Sequence, residues 1–267
     1  MSVAEEAEEE VLQDRADRHV VRAGATVRHA VQPWTPAVHA LLEYLADAGF
    51  AYSPRVLGVE PGTGGAPDTE ILTYIEGESG PDGWAKVVDE DGLRAAARLL
   101  REYHDTVASW APERPPVWAG GATGAGGPGE VVCHGDFGPW NIVWDGVRPV
   151  GLLDWEYAAP HPPWYDVAYA LEYLAPFRDD EVCVRWLRYP VPPDRRRRVA
   201  IFAEAYGLPD TAGLADSVIE IQRIGLDFVR QLAAEGHERQ VTMVAEGHLD
   251  ELAERIRWSE EHRHLFD

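Results

Sequence analysis

Between positions 130 and 154 the chain reads Glu-Val-Val-Cys-His-Gly-Asp-Phe-Gly-Pro-Trp-Asn, and thirteen residues after that asparagine a second apolar run ends in Asp154. The apolar stretches Glu130-Val131-Val132-Cys133 and Val150-Gly151-Leu152-Leu153 are too short for helices and predict two strands. Gly138-Pro139 predicts a turn that brings Asn141 back towards the strand ending in Asp154. A compact loop would then hold His134, Asp136 and Asn141 close to a second carboxylate. A carboxylate, an amide and a carboxylate are hard oxygen donors of the kind magnesium prefers. Phosphoryl transfer asks for little more: a held hydroxyl, a carboxylate for its proton, and a divalent cation on the phosphate oxygens.

The surrounding pattern divides the chain at about residue 76. Residues 1–18 are acidic and predict a frayed or loosely helical segment. Val20 to Arg28 predicts a hairpin turning at Gly24. Val38, Leu41, Leu42 and Leu45 recur at helical spacing after Thr35-Pro36, and Gly49 stops that helix. Arg55 to Val59 and Thr69 to Ile75 predict two more strands around a Pro- and Gly-rich tip. Residues 77–267 are mainly helical: 91–109, 167–174, 194–206, 214–234 and 240–264, interrupted by the strands that flank the motif. Gly124-Ala125-Gly126-Gly127-Pro128-Gly129 matches G-x-G-x-x-G in letters only. A strand follows it and Pro128 removes a donor, so no helix N-terminus would gather amides around a phosphate.

Composition excludes several functions. A formal charge of −22 argues against nucleic-acid or anionic-membrane partners, which need a basic face. The same surplus suits a metal ion or a cationic small molecule. Cys133 and Cys183 cannot make a disulfide framework. No run approaches the roughly 18 apolar residues of a membrane span, and the acidic start is unlike a signal peptide. A reduced, cytoplasmic protein is the expectation.

His134-Gly135-Asp136 with Asn141 has the spacing of the protein-kinase loop H-R-D-x-x-x-x-N, with Gly135 in place of arginine. Here the chain resembles the aminoglycoside phosphotransferase and choline kinase superfamily, whose loop is H-G-D-x-x-x-x-N. Leu152-Leu153-Asp154-Trp155-Glu156 is similar to its metal strand, Trp164-Tyr165-Asp166-Val167-Ala168 to its following helix start, and Leu99 to His104 to its preceding helix. The resemblance covers most of the chain. It implies an α+β, bilobal protein-kinase-like fold, with a small, shortened β-rich N-lobe (1–76) that binds nucleotide and a larger, mainly helical catalytic C-lobe (77–267). It implies an ATP- and Mg2+-dependent phosphotransferase acting on a hydroxyl of a small molecule, such as an aminoglycoside or another cationic antibiotic or metabolite. The oligomeric state stays open.

Carried over by position, the resemblance makes Asp136 the catalytic base, with His134 beside it and more suited to bracing the backbone. Asn141 and Asp154 would hold magnesium. Arg28 is the candidate phosphate contact, with Glu43 as its helix partner and Arg22 and His29 as rivals. Adenine would meet the backbone near Tyr74 and Ile75. Asp166 would brace the loop from beneath. Candidate acceptor contacts are Glu156, Asp179, Asp180, Glu220 and Asp227. The run Arg195 to Arg198 predicts an exposed charged turn. Only Ala23-Gly24-Ala25 offers a glycine flap, which leaves a second reading open: a catalytically weak or inactive kinase-like protein that binds a ligand or peptide, as an immunity factor would.

Overall fold

The N-terminal sheet is wider than the sequence predicts. The structure, a computed structural model, describes residues 9–14 and 18–267. Within them β1 (Glu9–Asp14), β2 (His19–Ala23), β3 (Thr26–Ala30), β4 (Val56–Glu60) and β5 (Thr69–Thr73) form one antiparallel sheet in the order β1-β2-β3-β5-β4. The segment before Glu9 lies outside the described residues. β1 is unexpected because Val11 and Leu12 are both exposed, so no alternation marks the strand; backbone pairing with β2 holds it. Helix α1 (Thr35–Asp47) packs beneath with Val38, Leu41, Leu42 and Leu45 buried.

The connection out of the sheet is pinned to the second lobe. Glu78 and Trp144 exchange backbone hydrogen bonds of 2.9 and 2.8 Å. After α2 (Gly83–Val88) comes α3 (Glu90–Val107), capped by the Asp89 carboxylate on the Asp91 amide. Leu93, Ala97, Leu100, Tyr103 and His104 form its buried side, the three-and-four spacing of an amphipathic helix.

Two short ribbons carry the motif. β6 (Val131–Cys133) pairs with β9 (Ala159–His161), and β7 (Ile142–Asp145) with β8 (Arg148–Leu152). The two strands predicted beside the motif thus have separate partners. Helices α4 (Trp164–Leu174), α5 (Asp180–Arg185), α6 (Arg195–Tyr206), α7 (Leu214–Ala234), α8 (Glu238–Ala245) and α9 (His248–Glu261) complete the chain. The single helix predicted over 240–264 is broken at Gly247, whose φ of 89° leaves the helical region. The glycine-rich stretch 124–129 is loop leading into β6.

The exposed turn predicted at Arg195 to Arg198 needs correction. Helical geometry sends Arg195 and Arg198 inward beside Val199 and Phe202, and both are buried. Their guanidinium groups donate to main-chain oxygens beyond and at the end of α4: Arg195 to Pro176 at 3.1 Å and Arg198 to Leu174 at 2.8 Å. Two of the four arginines therefore cap carbonyls that would otherwise be buried without partners. Arg197 turns outward and pairs with Glu90. One apolar cluster joins α1 to the second lobe, with Leu41, Phe50, Leu100, Tyr103, Ile142 and Leu171 among its members. Among the described residues no helix is long and apolar enough to cross a membrane.

Candidate active site

The loop between β6 and β7 is shaped by hydrogen bonds to the main chain. His134 is fully buried. Its Nδ1 accepts from the Asp136 amide at 3.2 Å and its Nε2 faces the Leu153 carbonyl at 2.9 Å. This pattern fixes the tautomer with the proton on Nε2 and leaves neither nitrogen facing a substrate. Gly135 adopts φ 82°, and a Cβ there would overlap the Tyr157 carbonyl oxygen. Glycine is required by that close approach.

Asp166, at the start of α4, lies wholly buried beneath this turn. Its carboxylate accepts from the His134 amide at 2.6 Å and the Gly135 amide at 2.9 Å. His104 Nε2 stands 3.1 Å away and its Nδ1 faces the Tyr206 hydroxyl at 2.7 Å. Burial alone would raise the Asp166 pKa; the hydrogen bond and charge of His104, with the Gly135 amide, more than offset it and hold the carboxyl low. Cys133 is close to both His104 and Asp166. Burial pushes its thiol well up, so this cluster is a protonated thiol beside an internally satisfied His–Asp pair.

Asp136 projects from the braced turn. Its Oδ1 accepts from the Tyr169 hydroxyl, and its Oδ2 from Asn141 Nδ2 at 2.7 Å. Asn141 Nδ2 also reaches the Asp136 carbonyl, at 2.9 Å. Both amide donations point towards Asp136, so the Asn141 oxygen is left for another partner. Burial raises the Asp136 pKa, opposed by the Tyr169 hydrogen bond. Asp154 follows β8 in a left-handed conformation, φ 62° and ψ 66°. Such a conformation costs a non-glycine residue of order 1 kcal/mol or more, and clusters at functional sites. The Asn141 oxygen and the Asp154 carboxylate form a hard donor pair that fits magnesium. Facing them is a cation of the chain itself. Arg18 Nη1 lies 2.8 Å from Asp154 Oδ1 and 3.2 Å from Glu156 Oε2. Burial and the neighbouring Asp154 charge raise the Glu156 pKa.

The N-terminal sheet differs from the predicted arrangement. Arg28 pairs with Glu60 at 3.2 Å, and Glu43 is exposed on α1; the Arg28–Glu43 pairing does not form. The sheet alternates its side chains, and it is His29 that shares a face with Val20 and approaches α1. There the buried Glu70 lies between His29 at 3.0 Å and His39 at 2.6 Å. Burial opposes its ionisation, yet hydrogen bonds from both histidines bring its carboxyl down to about 2. Arg22 stacks over Tyr74, 3.8 Å from the ring centroid, and pairs with Glu76. The Tyr74 amide donates to the Ala25 carbonyl at 2.8 Å; Ile75 follows it and packs towards Gly151.

The acidic residues marked for the acceptor scatter, apart from Glu156. Asp179 caps α5 through the Val182 amide. Asp180 pairs with Arg195, Glu220 with Arg223 and Asp227 with Arg230. An aromatic run adjoins Asp136 instead. Tyr169 neighbours Tyr173 at 5.2 Å between ring centroids, Tyr173 meets Trp140 at 4.7 Å, and Trp140 meets Trp84 at 5.3 Å. Tyr169 was recoverable from sequence, since it follows Asp166 by one helical turn and so shares its face. Arg18 carried no such signal.

The sequence model of the phosphotransferase enzyme family matches residues 108–214, which include every residue from His134 to Asp166. The trifolitoxin immunity protein of Rhizobium leguminosarum bv. trifolii is 34% identical over 204 residues, covering 75% of each chain. Among solved structures, a choline/ethanolamine kinase family protein from Mesorhizobium loti matches with a TM-score of 0.63 at 18% identity, over 98% of this chain and 92% of that one. The GDP complex of aminoglycoside 2'-phosphotransferase-IIIa matches with a TM-score of 0.62 at 12% identity, over 98% and 95%. An aminoglycoside phosphotransferase from Streptomyces rimosus matches with a TM-score of 0.54 at 17% identity, over 81% and 92%. At these identities the structural matches speak for the fold, which is kinase-like with a small antiparallel N-terminal part and a larger helical one.

Proposed function

The chain belongs to the phosphotransferase enzyme family, and from that premise we propose that it moves the γ-phosphate of ATP to a hydroxyl of a small molecule with Mg2+ as cofactor. The observation that carries this reading is the convergence of Asp136, Asn141 and Asp154, with the Asn141 amide turned so that its oxygen is free for a metal. Asp136 takes the proton of the acceptor hydroxyl as that oxygen bonds phosphorus and the bond to ADP breaks. Asn141 and Asp154 would hold the magnesium, which supplies positive charge against the phosphate oxygens. His134 and Asp166 fix the turn that aims Asp136. The backbone from Ile75 onwards would meet the nucleotide base, because the Tyr74 amide is already bonded to Ala25. Glu156, which shares Arg18 with Asp154, is the candidate contact for a cationic acceptor. An aminoglycoside or related antibiotic is thus one class to screen. The name of the 34% identical relative adds small toxins as another.

The test is thermal unfolding with Mg·ATP and Mg·GTP, followed by a screen of aminoglycosides, toxins and simple alcohols for nucleoside diphosphate release. Ligand at one hundred times its Kd stabilises by about 2.7 kcal/mol, and for a chain of this size that raises Tm by roughly 5–11 °C. Stabilisation must disappear when magnesium is chelated. An unchanged Tm with every Mg·nucleotide would end the kinase reading. The second reading, a ligand-binding immunity-type protein without turnover, is favoured by one observation: Arg28 pairs with Glu60 and His29 with Glu70, so among the described residues β3 offers no uncommitted cation for a phosphate. Nucleotide binding without diphosphate release across the screen would support it.

Tyr169→Phe probes the base directly. The Tyr169 hydroxyl stabilises ionised Asp136, so its removal raises the Asp136 pKa further. Turnover needs the ionised form. The acid limb of the pH–rate profile is expected to move to higher pH, while activity on the alkaline side stays within about tenfold of wild type. An acid limb that stays in place would show that Asp136 is not the titrating group.

A further inference from the structure

A kinase-like site needs a cation on the nucleotide phosphates from its N-terminal lobe, because metal charge alone leaves part of the triphosphate unneutralised. The described candidates in that lobe are committed elsewhere. Arg28 binds Glu60, Arg22 binds Glu76 and covers Tyr74, and His29 binds Glu70. Arg55 donates to the Phe50 carbonyl at 3.1 Å. One cation remains. Arg18 stands where the β1–β2 connection enters β2, and it reaches across 136 positions of sequence to Asp154. Its side chain is about one quarter exposed, as are those of Asp154 and Glu156.

That contact locates Arg18 at the reacting end of the cleft. Asp154 is a carboxylate that would hold magnesium, and the ion would supply positive charge to the nucleotide phosphates there. Any nucleotide that uses the site must therefore bring its phosphates to the place where Arg18 now binds carboxylate. A guanidinium forks equally well onto carboxylate and onto phosphate. The β1–β2 connection lacks the glycines that would let backbone amides wrap phosphate, since positions 15–17 read Arg-Ala-Asp.

We propose that Arg18 is the phosphate-binding residue of this lobe, held on Asp154 and Glu156 while no nucleotide is bound and transferred to the triphosphate of a magnesium nucleotide, whose cation would take Asp154 in its place. This rests on the phosphotransferase reading of the site. It moves the basic function from β3, where sequence reasoning puts it, to the β1–β2 connection. Arg18 has two effects of opposite sign: it competes with a free divalent cation for Asp154, and it attracts a nucleotide carrying that cation.

Isothermal titration of Arg18→Ala against wild type separates the two effects, using Mg·ATP, adenosine, and Mn2+ alone as probes. The variant is expected to bind Mg·ATP about tenfold or more weakly, the worth of one charge-assisted contact. It should bind adenosine as wild type does and Mn2+ alone more tightly. Arg18→Lys keeps the charge but loses the fork, and is expected to fall between. Mg·ATP binding that is unchanged or tighter in Arg18→Ala overturns the proposal, and so does an equal loss for adenosine. If wild-type protein binds neither Mg·ATP nor Mg·GTP, the phosphotransferase reading falls with it; wild-type binding with an indifferent variant removes only the role of Arg18.

Discussion

Asp136→Ala is expected to lower phosphoryl transfer by about a hundredfold or more, the usual scale for a positioned general base. Mg·nucleotide binding should survive. Asp136 accepts hydrogen bonds from Tyr169 and Asn141 but takes no part in the contacts of Asp154, so the candidate metal ligand keeps its place just after β8. The variant should also stay folded, because the brace under the loop, Asp166 with the His134 and Gly135 amides, does not involve the Asp136 side chain. Diphosphate release with whichever acceptor the screen identifies gives the rate, and nucleotide titration gives the affinity. A variant with more than about one tenth of wild-type turnover would refute the role of Asp136, because loss of a general base removes far more than that. A variant with lost turnover and lost nucleotide binding would point to collapse of Asn141 instead.

The parts of the site that were legible in the sequence are those confined to one stretch of chain. Asp136, Asn141 and Asp154 lie within nineteen residues, and two apolar strands and a Gly-Pro turn leave few ways to arrange them. Asp166 follows by one short segment, at the head of a helix whose periodicity shows which side is inward. Helix α3 was legible for the same reason: Leu93, Ala97, Leu100 and His104 repeat at the spacing of a buried face. What failed to show depends on contacts between distant residues. The His29–Glu70–His39 cluster joins β3, β5 and α1, and no local pattern distinguishes those residues from surface ones. The predicted Arg28–Glu43 pair had suitable residue types, but the pleat placed His29, not Arg28, on the face towards α1. Strand β1 was hidden because it buries almost nothing, and the break at Gly247 because a lone glycine within a helical pattern is ordinarily tolerated.

The same distinction explains the arginines. Sequence treats Arg195 to Arg198 as one charged turn, yet helical rotation divides them between solvent and a buried set of main-chain oxygens. A buried guanidinium is acceptable where several carbonyls accept its protons, and Arg198 meets the oxygens of Leu174, Val87 and Val88. These contacts tie α6 to α2 and α4, the two helices that bear Trp84, Tyr169 and Tyr173. The aromatic run beside Asp136 is thereby mounted on a charged but internally satisfied support.

Removal of the brace is the second large effect. Asp166→Ala is expected to cost about 3–5 kcal/mol, as when one member of a buried pair is deleted, and so to lower Tm by roughly 6–20 °C. The reason is the number of groups left without a partner. The His134 and Gly135 amides and His104 Nε2 all converge on this carboxylate, and its full burial denies them water. Asp166→Asn should be milder, because one amide oxygen remains, although its NH2 group then faces a donor. The sign of the pH dependence follows from the lowered pKa of Asp166, burial being outweighed by His104 and the Gly135 amide. A carboxyl depressed on folding contributes stability that is fully present above its unfolded value, near 4, and is lost as pH falls through the folded value. The Tm gap between wild type and Asp166→Asn is therefore expected to hold steady at neutral pH and to narrow below about pH 4. A gap that instead narrows as pH rises towards 8, or an Asp166→Ala protein melting within about 2 °C of wild type, would mean that the loop holds its shape without the carboxylate.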